Sequence, residues 1–242
     1  MVSLLFWIAA FFSEILGTIA GFGSSTIFLP LALFFFDFRT ALILVAILHI
    51  SGNVSRLAFF RKGMNKRLLF VFGIPSVLLT VAGALLVNYM PQDLLKFILG
   101  LFLIIFVFIS WNENFSVKPT NRNSIIGAGL SGFFAGLIGT GGALRSAFLT
   151  SFKLEKSVYI ATAASISIIV DLTRIPIYFA SGFLDRDLIY LIPILFVIAV
   201  AGSFAGKNII NKIPQKIFRK IVLTAIFLVS LKFIYEGFFL LI

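Results

Sequence analysis

A glycine-rich break within apolar sequence is the feature that most constrains this chain. Residues 135–144 read Ala-Gly-Leu-Ile-Gly-Thr-Gly-Gly-Ala-Leu, with four glycines among ten residues. Because each glycine inside a helix costs about 1 kcal/mol relative to alanine, the run predicts that one helix ends here and another begins. Residues 17–30, which read Gly-Thr-Ile-Ala-Gly-Phe-Gly-Ser-Ser-Thr-Ile-Phe-Leu-Pro, form a second run of this kind.

The composition indicates a membrane protein. Of the 242 residues, 60% are hydrophobic and 12% are charged, whereas soluble domains are about 45–50% apolar and about 25% charged. We therefore predict an all-α polytopic protein of the cytoplasmic membrane, in contact with the lipid bilayer. Within a bilayer, the free backbone groups of a broken helix are tolerated only where they face protein or water. Each glycine run therefore predicts a polar site inside the protein.

The charged and metal-binding residue types exclude several functions. The net charge of +11 does not indicate a nucleic-acid partner, because the basic residues cluster between apolar segments, as the positive-inside rule requires. The absence of cysteine excludes disulfides and thiolate sites, and a single histidine argues against an imidazole-built metal centre. No ATP-binding Gly-x-x-x-x-Gly-Lys-[Ser/Thr] signature occurs. We expect no metal, no cofactor and no catalytic residue.

Eight apolar segments follow one another along the chain, against a requirement of about 20 residues per crossing. They cover residues 2–36, 40–60, 68–89, 94–111, 125–151, 158–180, 188–206 and 217–241. The polar connector 112–123 divides the chain almost in half. It predicts a linker between a first transmembrane repeat, 1–111, and a second, 124–242.

The two halves resemble each other in sequence. Placing residues 21–25 on residues 139–143 gives an offset of 118. The same offset pairs Asn53 with Asp171, Arg56 with Arg174, Phe60 with Tyr178 and Pro75 with Pro193. Internal duplication is a common way to build a transporter, with the substrate site where the repeats meet.

The charged connectors favour repeats of opposite orientation. In the first half, residues 61–67 are basic and 93–96 are nearly neutral, whereas their counterparts 185–187 are net negative and 207–220 are basic. Opposite insertion requires an odd number of crossings in each half. We therefore predict that each half is a glycine-broken, re-entrant helix hairpin followed by three transmembrane helices. Eight simple crossings with parallel repeats are the alternative.

Six ionisable residues lie within the apolar segments, where each is a functional candidate by default. They are Glu14, His49, Arg56, Arg145, Asp171 and Arg174. Arginine binds oxyanions through a planar fork and stays charged at any pH, so these positions favour an anionic substrate. Alternatively, Arg56 extends to the membrane surface, and Asp171 merely neutralises Arg174.

The predicted site comprises the two glycine breaks and the polar positions that follow them. The substrate-binding candidates are Gly21, Phe22, Gly23, Ser24, Ser25, Asn53, Arg56, Gly139, Thr140, Gly141, Gly142, Arg145 and Arg174. The candidates for proton coupling are Glu14, His49 and Asp171, although Glu14 also suits a counter-ion for an arginine, and His49 also suits a hydrogen-bonded spacer between helices. Gly17, Gly132 and Gly136 are attributed to close helix packing.

With its duplicated Gly-rich motifs at residues 21–30 and 136–142, the chain resembles the TauE/SafE family along essentially its whole length. The resemblance implies a permease for sulfite, sulfoacetate or related organosulfur anions. The first motif has Ser24 and Ser25 where the family pattern has glycine, and the second has Ala143. We therefore expect a secondary transporter for a small anion, with an anion channel and, less favoured, a membrane-embedded enzyme as alternatives. We also consider a homodimer.

Overall fold

The computed structural model describes residues 2–21, 23–60, 63–112, 117–210 and 215–241, and these residues form α-helices joined by short connectors. The helices are α1 Leu4–Ala20, α2 Ser25–Ala32, α3 Phe38–Phe59, α4 Lys66–Leu86, α5 Gln92–Trp111, α6 Asn121–Ile138, α7 Gly142–Leu149, α8 Lys156–Ala180, α9 Leu191–Ile209 and α10 Gln215–Leu241. Helices α3, α4, α5, α8, α9 and α10 contain stretches long and apolar enough to cross a membrane. The protein is thus all-helical and polytopic, with three candidate spans in each half.

Both glycine runs interrupt helices at left-handed residues. Helix α1 ends at Gly21, with φ of 78°, and α6 ends at Gly139, with φ of 71°. Glycine adopts this conformation without the steric cost that a Cβ atom would bring. Helices α2 and α7 begin within a few residues of these breaks and have eight residues each.

After each break the chain doubles back. The ring of Phe6 on α1 lies 5.4 Å from that of Phe28 on α2 and 5.1 Å from that of Phe36, which follows α2. In the second half, Ser131 on α6 donates a hydrogen bond of 2.7 Å to the carbonyl of Gly141. Helices α1 and α2 therefore form a first hairpin, and α6 and α7 form a second.

The packing contacts of helices in the first half have counterparts among the corresponding helices of the second half. Helix α1 packs on α9 as α6 packs on α4, and α3 packs on α9 as α8 packs on α4. Two further pairs join equivalent helices directly, α3 with α8 and α5 with α10. These contacts give the molecule an approximate two-fold arrangement centred on α3 and α8.

The equivalent helices α3 and α8 run antiparallel. Near the start of α3, the guanidinium of Arg39 lies 5.8 Å from the ring of Phe183, which follows the end of α8. At the other end, the backbone N–H of Asn65, beyond α3, donates to the hydroxyl of Thr162 in the second turn of α8 at 3.0 Å. Helices α5 and α10 are also antiparallel, because Gly100 lies against Ser230 while the later Gly237 lies against the earlier Asp93.

Small residues allow backbones to approach closely at the predicted packing positions. A Cβ atom at Gly132 would collide with the backbone of Ser76 on α4, and one at Gly136 would collide with the carbonyl of Thr80. At Gly17, a Cβ atom would collide with the backbone of Ser24 across the first hairpin. The packing role assigned to these three glycines is confirmed.

The helix directions place the basic connectors at one end of the molecule. The start of α4 lies beside the start of α6, where Arg67 donates to the side chain of Asn121 at 3.0 Å. Exposed Lys66 and Lys156 lie at the same end, as does half-buried Lys207, whose ammonium lies 5.2 Å from the ring of Phe59 at the end of α3. We call this the basic end. It contains the starts of α4, α6, α8 and α10 and the ends of α3, α5 and α9.

Candidate functional site

Among the described residues, six Asp, Glu, His and Arg side chains are buried between the helices, and they are the six that the sequence indicates. Glu14, His49, Arg56, Arg145, Asp171 and Arg174 are each at most 5% exposed. A charge in such a place is costly unless it is paired or hydrogen-bonded. The identity of each partner therefore indicates what each residue can do.

Arg56 is bonded to the first hairpin and to its own helix. Its guanidinium forms an ion pair with Glu14 on α1 and donates to the hydroxyl of Thr18 at 3.0 Å and to the side-chain oxygen of Asn53 at 2.7 Å. Ser203 on α9 donates to the same oxygen of Glu14 at 2.9 Å. Arg56 is therefore held inside the protein, 5% exposed, and does not extend outward as the alternative predicts.

Arg174 is bonded to the second hairpin and to Asp171. Its Nη1 donates to the carbonyls of Ala135 and Gly139 at 2.8 and 2.9 Å, and its Nη2 lies 2.7 Å from Asp171 Oδ1. Tyr178 adds a hydrogen bond of 2.5 Å to the carbonyl of Gly136. Arg174 thus satisfies backbone groups that the break in α6 leaves free, and Asp171 neutralises it.

Asp171 also joins the two halves through His49. The Nδ1 atom of His49 on α3 lies 2.8 Å from Asp171 Oδ2. An ionised carboxylate only accepts, so Nδ1 carries the proton. The other ring nitrogen, Nε2, is buried with no hydrogen-bond partner among the described residues, and a Cβ atom at Gly23 would lie 2.9 Å from it. The ring therefore extends from Asp171 to the tip of the first hairpin.

Arg145 differs from the other two arginines in having no carboxylate partner among the described residues. It lies on α7, in the first turn after Gly142, and its Nη2 donates to the hydroxyl of Ser167 on α8 at 2.5 Å. The guanidinium has five N–H donors. The donors that Ser167 leaves unused are available to a ligand.

A small cavity adjoins both Arg56 and Arg145. The first hairpin contributes Gly17, Thr18, Gly21 and Gly23 to its wall. Its volume, about 30 Å³ for the centres of water molecules, corresponds to roughly two waters. The cavity therefore lies at the tip of the first hairpin and is small.

The opposite wall of the cavity comes from the second half. Gly142, Arg145 and Ser146 on α7 line it together with Tyr159 and other residues of α8. Gly142 is the first residue of α7, whose N-terminus has no side-chain cap. Unbonded N–H groups and the positive end of the helix dipole favour an anion there.

A comparison with known protein families agrees with this architecture. The family described as Sulfite exporter TauE/SafE matches residues 6–233. The chain belongs to this family. The resemblance inferred from the glycine motifs is confirmed, and with it the class of transmembrane transport protein. No curated protein and no solved structure matches the chain.

In this TauE/SafE chain, the cavity includes part of the predicted site. The predicted residues that line it are Gly21, Gly23, Asn53, Arg56, Gly142 and Arg145. Those placed outside its wall are Ser24, Ser25, Gly139, Thr140, Gly141 and Arg174. Phe22 lies outside the described residues. Arg174 pairs with Asp171 and donates to hairpin carbonyls, the contact that the counter-ion alternative for Asp171 predicts. Its role toward a substrate stays a prediction.

The predicted residues outside the cavity have structural contacts of their own. The hydroxyls of Thr26 and Thr140 lie 2.7 Å apart, so the two hairpins meet at their tips. A Cβ atom at Gly141 would collide with the carbonyl of Ser131. Ser24 Oγ is buried with no hydrogen-bond partner among the described residues. Thr140 and Gly141 thus contact other residues of the two hairpins.

Sequence reasoning missed three polar residues of the wall. Thr18 and Tyr159 are uncharged residues within apolar segments, so no sequence pattern distinguishes them from residues that only pack. Tyr159 donates to the carbonyl of Gly21 at 3.2 Å. Ser167 corresponds to His49 at the offset of 118 between the halves, and this signal could have placed it at the site. In the described parts of the TauE/SafE chain, no group of three or more metal-ligating side chains occurs.

Proposed function

We propose that this protein is a secondary transporter for a small sulfur oxyanion, such as sulfite or an organic sulfonate, in the cytoplasmic membrane. The observation that carries the proposal is the cavity between the two halves, which Arg56 and Arg145 both line. Each guanidinium can present two parallel N–H donors to an oxyanion. The N-terminus of α7 adds backbone donors on the same wall.

Arg145 is the principal substrate ligand in this proposal. It is 4% exposed, and Ser167 is its single hydrogen-bond partner among the described residues. Arg56 shares its charge with Glu14, so it contributes hydrogen bonds more than net charge. Arg174 is assigned to the second hairpin, where it holds the broken end of α6.

We further propose that residues 1–111 and 124–242 are inverted repeats, joined by the linker 112–123. The antiparallel direction of α3 and α8 supports this arrangement, as do the three candidate spans in each half. Each hairpin would then enter the membrane and leave on the side from which it came. The short α2 and α7, with eight residues each, suit such re-entrant segments better than crossings of about 20 residues.

The basic end is proposed to face the cytoplasm, because lysine and arginine concentrate in cytoplasmic connectors. The cavity lies toward this end, since it is lined by the second half of α3 and the first half of α8. At the opposite end, Asn88 donates to Ser181 at 2.9 Å and Arg39 donates to the Asn88 carbonyl at 3.3 Å. Movement of one repeat against the other would open the two ends in turn.

His49 and Asp171 are the proposed groups that respond to protons. They form the one direct hydrogen bond between ionisable side chains of different halves in the described parts of the chain. Histidine changes charge near neutral pH. A change in this bond would therefore alter how the halves are held together. Glu14, the third candidate, is assigned instead as the counter-ion of Arg56.

Uptake by reconstituted liposomes tests the proposed transport. The panel contains sulfite, sulfate, thiosulfate, sulfoacetate and simple carboxylates, each with and without a pH gradient. We expect saturable uptake of at least one sulfur oxyanion, and a loss of more than tenfold in Arg145→Ala, since a buried charge-assisted hydrogen bond is worth about 1.5–3 kcal/mol. Arg122→Ala, which removes an exposed arginine at the start of α6, is the matched control.

The same liposomes distinguish a carrier from a channel. Counterflow against unlabelled internal substrate is expected of a carrier, whereas a channel gives flux that does not saturate. Normal uptake by Arg145→Ala would show that the anion binds elsewhere. Absence of uptake for every sulfur oxyanion would remove the substrate assignment altogether.

A further inference from the structure

We infer that Glu14 sets the charge of the transported substrate, so that the site takes a singly charged oxyanion in preference to a doubly charged one. The inference rests on the proposed function, because it concerns what the same cavity selects. Glu14 does not line the cavity, and the transport proposal leaves the net charge of the substrate open.

The buried charges of the described residues leave one positive charge without a partner. The buried cations are Arg56, Arg145 and Arg174, and the buried anions are Glu14 and Asp171. Glu14 pairs with Arg56 and Asp171 pairs with Arg174. Arg145 alone remains uncompensated. A monoanion beside Arg145 would bring the buried centre to neutrality.

His49 does not alter this balance at alkaline pH. Histidine ordinarily titrates near neutrality, and we count His49 as neutral at pH 8. The charged groups that act on it are Asp171 and Arg174 from α8 and Arg56 from its own helix. Assays at pH 8 therefore examine the fixed charges of the carboxylates and guanidinium groups.

The position of Glu14 explains how it acts on the substrate without touching it. Its carboxylate lies behind Arg56, against Gly52 of α3, where a Cβ atom would collide with it. Ser203 of α9 holds the same oxygen that accepts from Arg56. The side chain is 0% exposed. Glu14 thus lowers the positive charge that Arg56 presents to the cavity.

A dianion in this cavity would leave one negative charge unmatched. Burial of an unpaired charge is far more costly than burial of an ion pair, because water no longer solvates it. Replacing Glu14 by the isosteric glutamine would free Arg56 to act as a second cation. The preferred substrate would then change from a monoanion to a dianion.

Competition between two similar anions tests this inference. Methanesulfonate and thiosulfate both have a tetrahedral sulfur and similar size, but at pH 8 they carry one and two negative charges. We expect proteoliposomes of the unmodified protein to transport methanesulfonate in preference to thiosulfate. In Glu14→Gln, the ratio of the two initial rates should shift toward thiosulfate by about tenfold or more, the equivalent of about 1.4 kcal/mol.

Two further variants separate charge from structure. Ser203→Ala removes a hydrogen bond to the same carboxylate but no charge, and its rate ratio should stay that of the unmodified protein. The double variant Glu14→Gln with Arg56→Gln restores one net positive charge, so its ratio should return toward methanesulfonate. If Glu14→Gln alone does not fold, the rate ratio of the double variant is compared with that of Arg56→Gln, from which it differs only at Glu14.

The outcomes also separate this inference from the proposed function. A preference of the unmodified protein for thiosulfate, or an unchanged ratio in Glu14→Gln, would overturn the role of Glu14 while leaving transport established. Absence of transport for both probes and for the wider panel would instead count against the proposed function.

Discussion

Arg56, Arg145 and Arg174 are all buried, but they bond to different classes of partner. Arg174 bonds to a carboxylate and to two carbonyls at the end of α6. Arg145 bonds to a single hydroxyl beside a cavity. Buried arginine is therefore bonded to the protein itself at one position, whereas at the other we propose that it binds the ligand.

This difference gives opposite expectations for two alanine variants. Arg174→Ala leaves Asp171 without its cation and removes a donor from the carbonyls of Ala135 and Gly139, so the free energy of unfolding should fall by about 3–5 kcal/mol. Arg145→Ala leaves no buried carboxylate unpaired and should change stability by less than about 1 kcal/mol. Thermal unfolding in detergent measures both. A similar midpoint for the two variants would contradict the assignment of Arg174 to structure.

The sequence identified the six buried ionisable residues because a charge in apolar sequence is conspicuous. It could not assign their partners, since the pairs join distant segments. Glu14 and Arg56 are brought together by the packing of α1 on α3, and His49 and Asp171 by the packing of α3 on α8. The offset of 118 that pairs Arg56 with Arg174 suggested equal roles for the two residues, but only Arg56 lines the cavity.

The helix breaks are determined by local sequence and then fixed by close packing. Gly21 and Gly139 end their helices in the left-handed conformation, as expected of glycine runs. Glycine is required at position 17, one turn earlier, for a different reason: the backbone of Ser24 occupies the place of a side chain. The existence of the breaks could thus be predicted locally, whereas the contact across the hairpin could not.

A pair of glycine-to-alanine variants separates these effects. Gly17→Ala would force the two arms of the first hairpin apart and should destabilise the protein by about 1–3 kcal/mol, with reduced uptake because the tip lines the cavity. Gly73→Ala on α4 is the control, because nothing lies within 4 Å of its added Cβ. It should stabilise the helix by about 0.5–1 kcal/mol. Unfolding midpoints of both variants in the same detergent check the sign of each change in stability. A stabilised Gly17→Ala would show that the hairpin accommodates the added methyl group.

At the scale of the whole molecule, the sequence offset and the helix packing agree on which helices of the two halves correspond. The offset of 118 between the halves predicts which helices are equivalent, and the contacts of each helix with its neighbours follow the same equivalence. The direction of the repeats was inferred from connector charges, which act through insertion in the membrane rather than through contacts. The antiparallel pairs α3 with α8 and α5 with α10 provide independent support for that direction.

Labelling of single cysteines tests the inverted arrangement, and the absence of native cysteine makes each introduced thiol unique. Asp187 and Lys118 are both exposed, in the α8–α9 and α5–α6 connectors. If the repeats are inverted, these connectors lie on opposite sides of the membrane. A membrane-impermeant maleimide should therefore label Asp187→Cys in right-side-out vesicles and Lys118→Cys in inside-out vesicles.

The alternative of eight simple crossings gives a different labelling pattern. With parallel repeats, residue 118 follows four crossings and residue 187 follows six, so both would lie on the same side. Labelling of both variants in one vesicle orientation would exclude inverted repeats. Because the lysine-rich connectors should be cytoplasmic, the side on which Asp187→Cys reacts also determines whether the cavity beside Arg145 lies toward the cytoplasm.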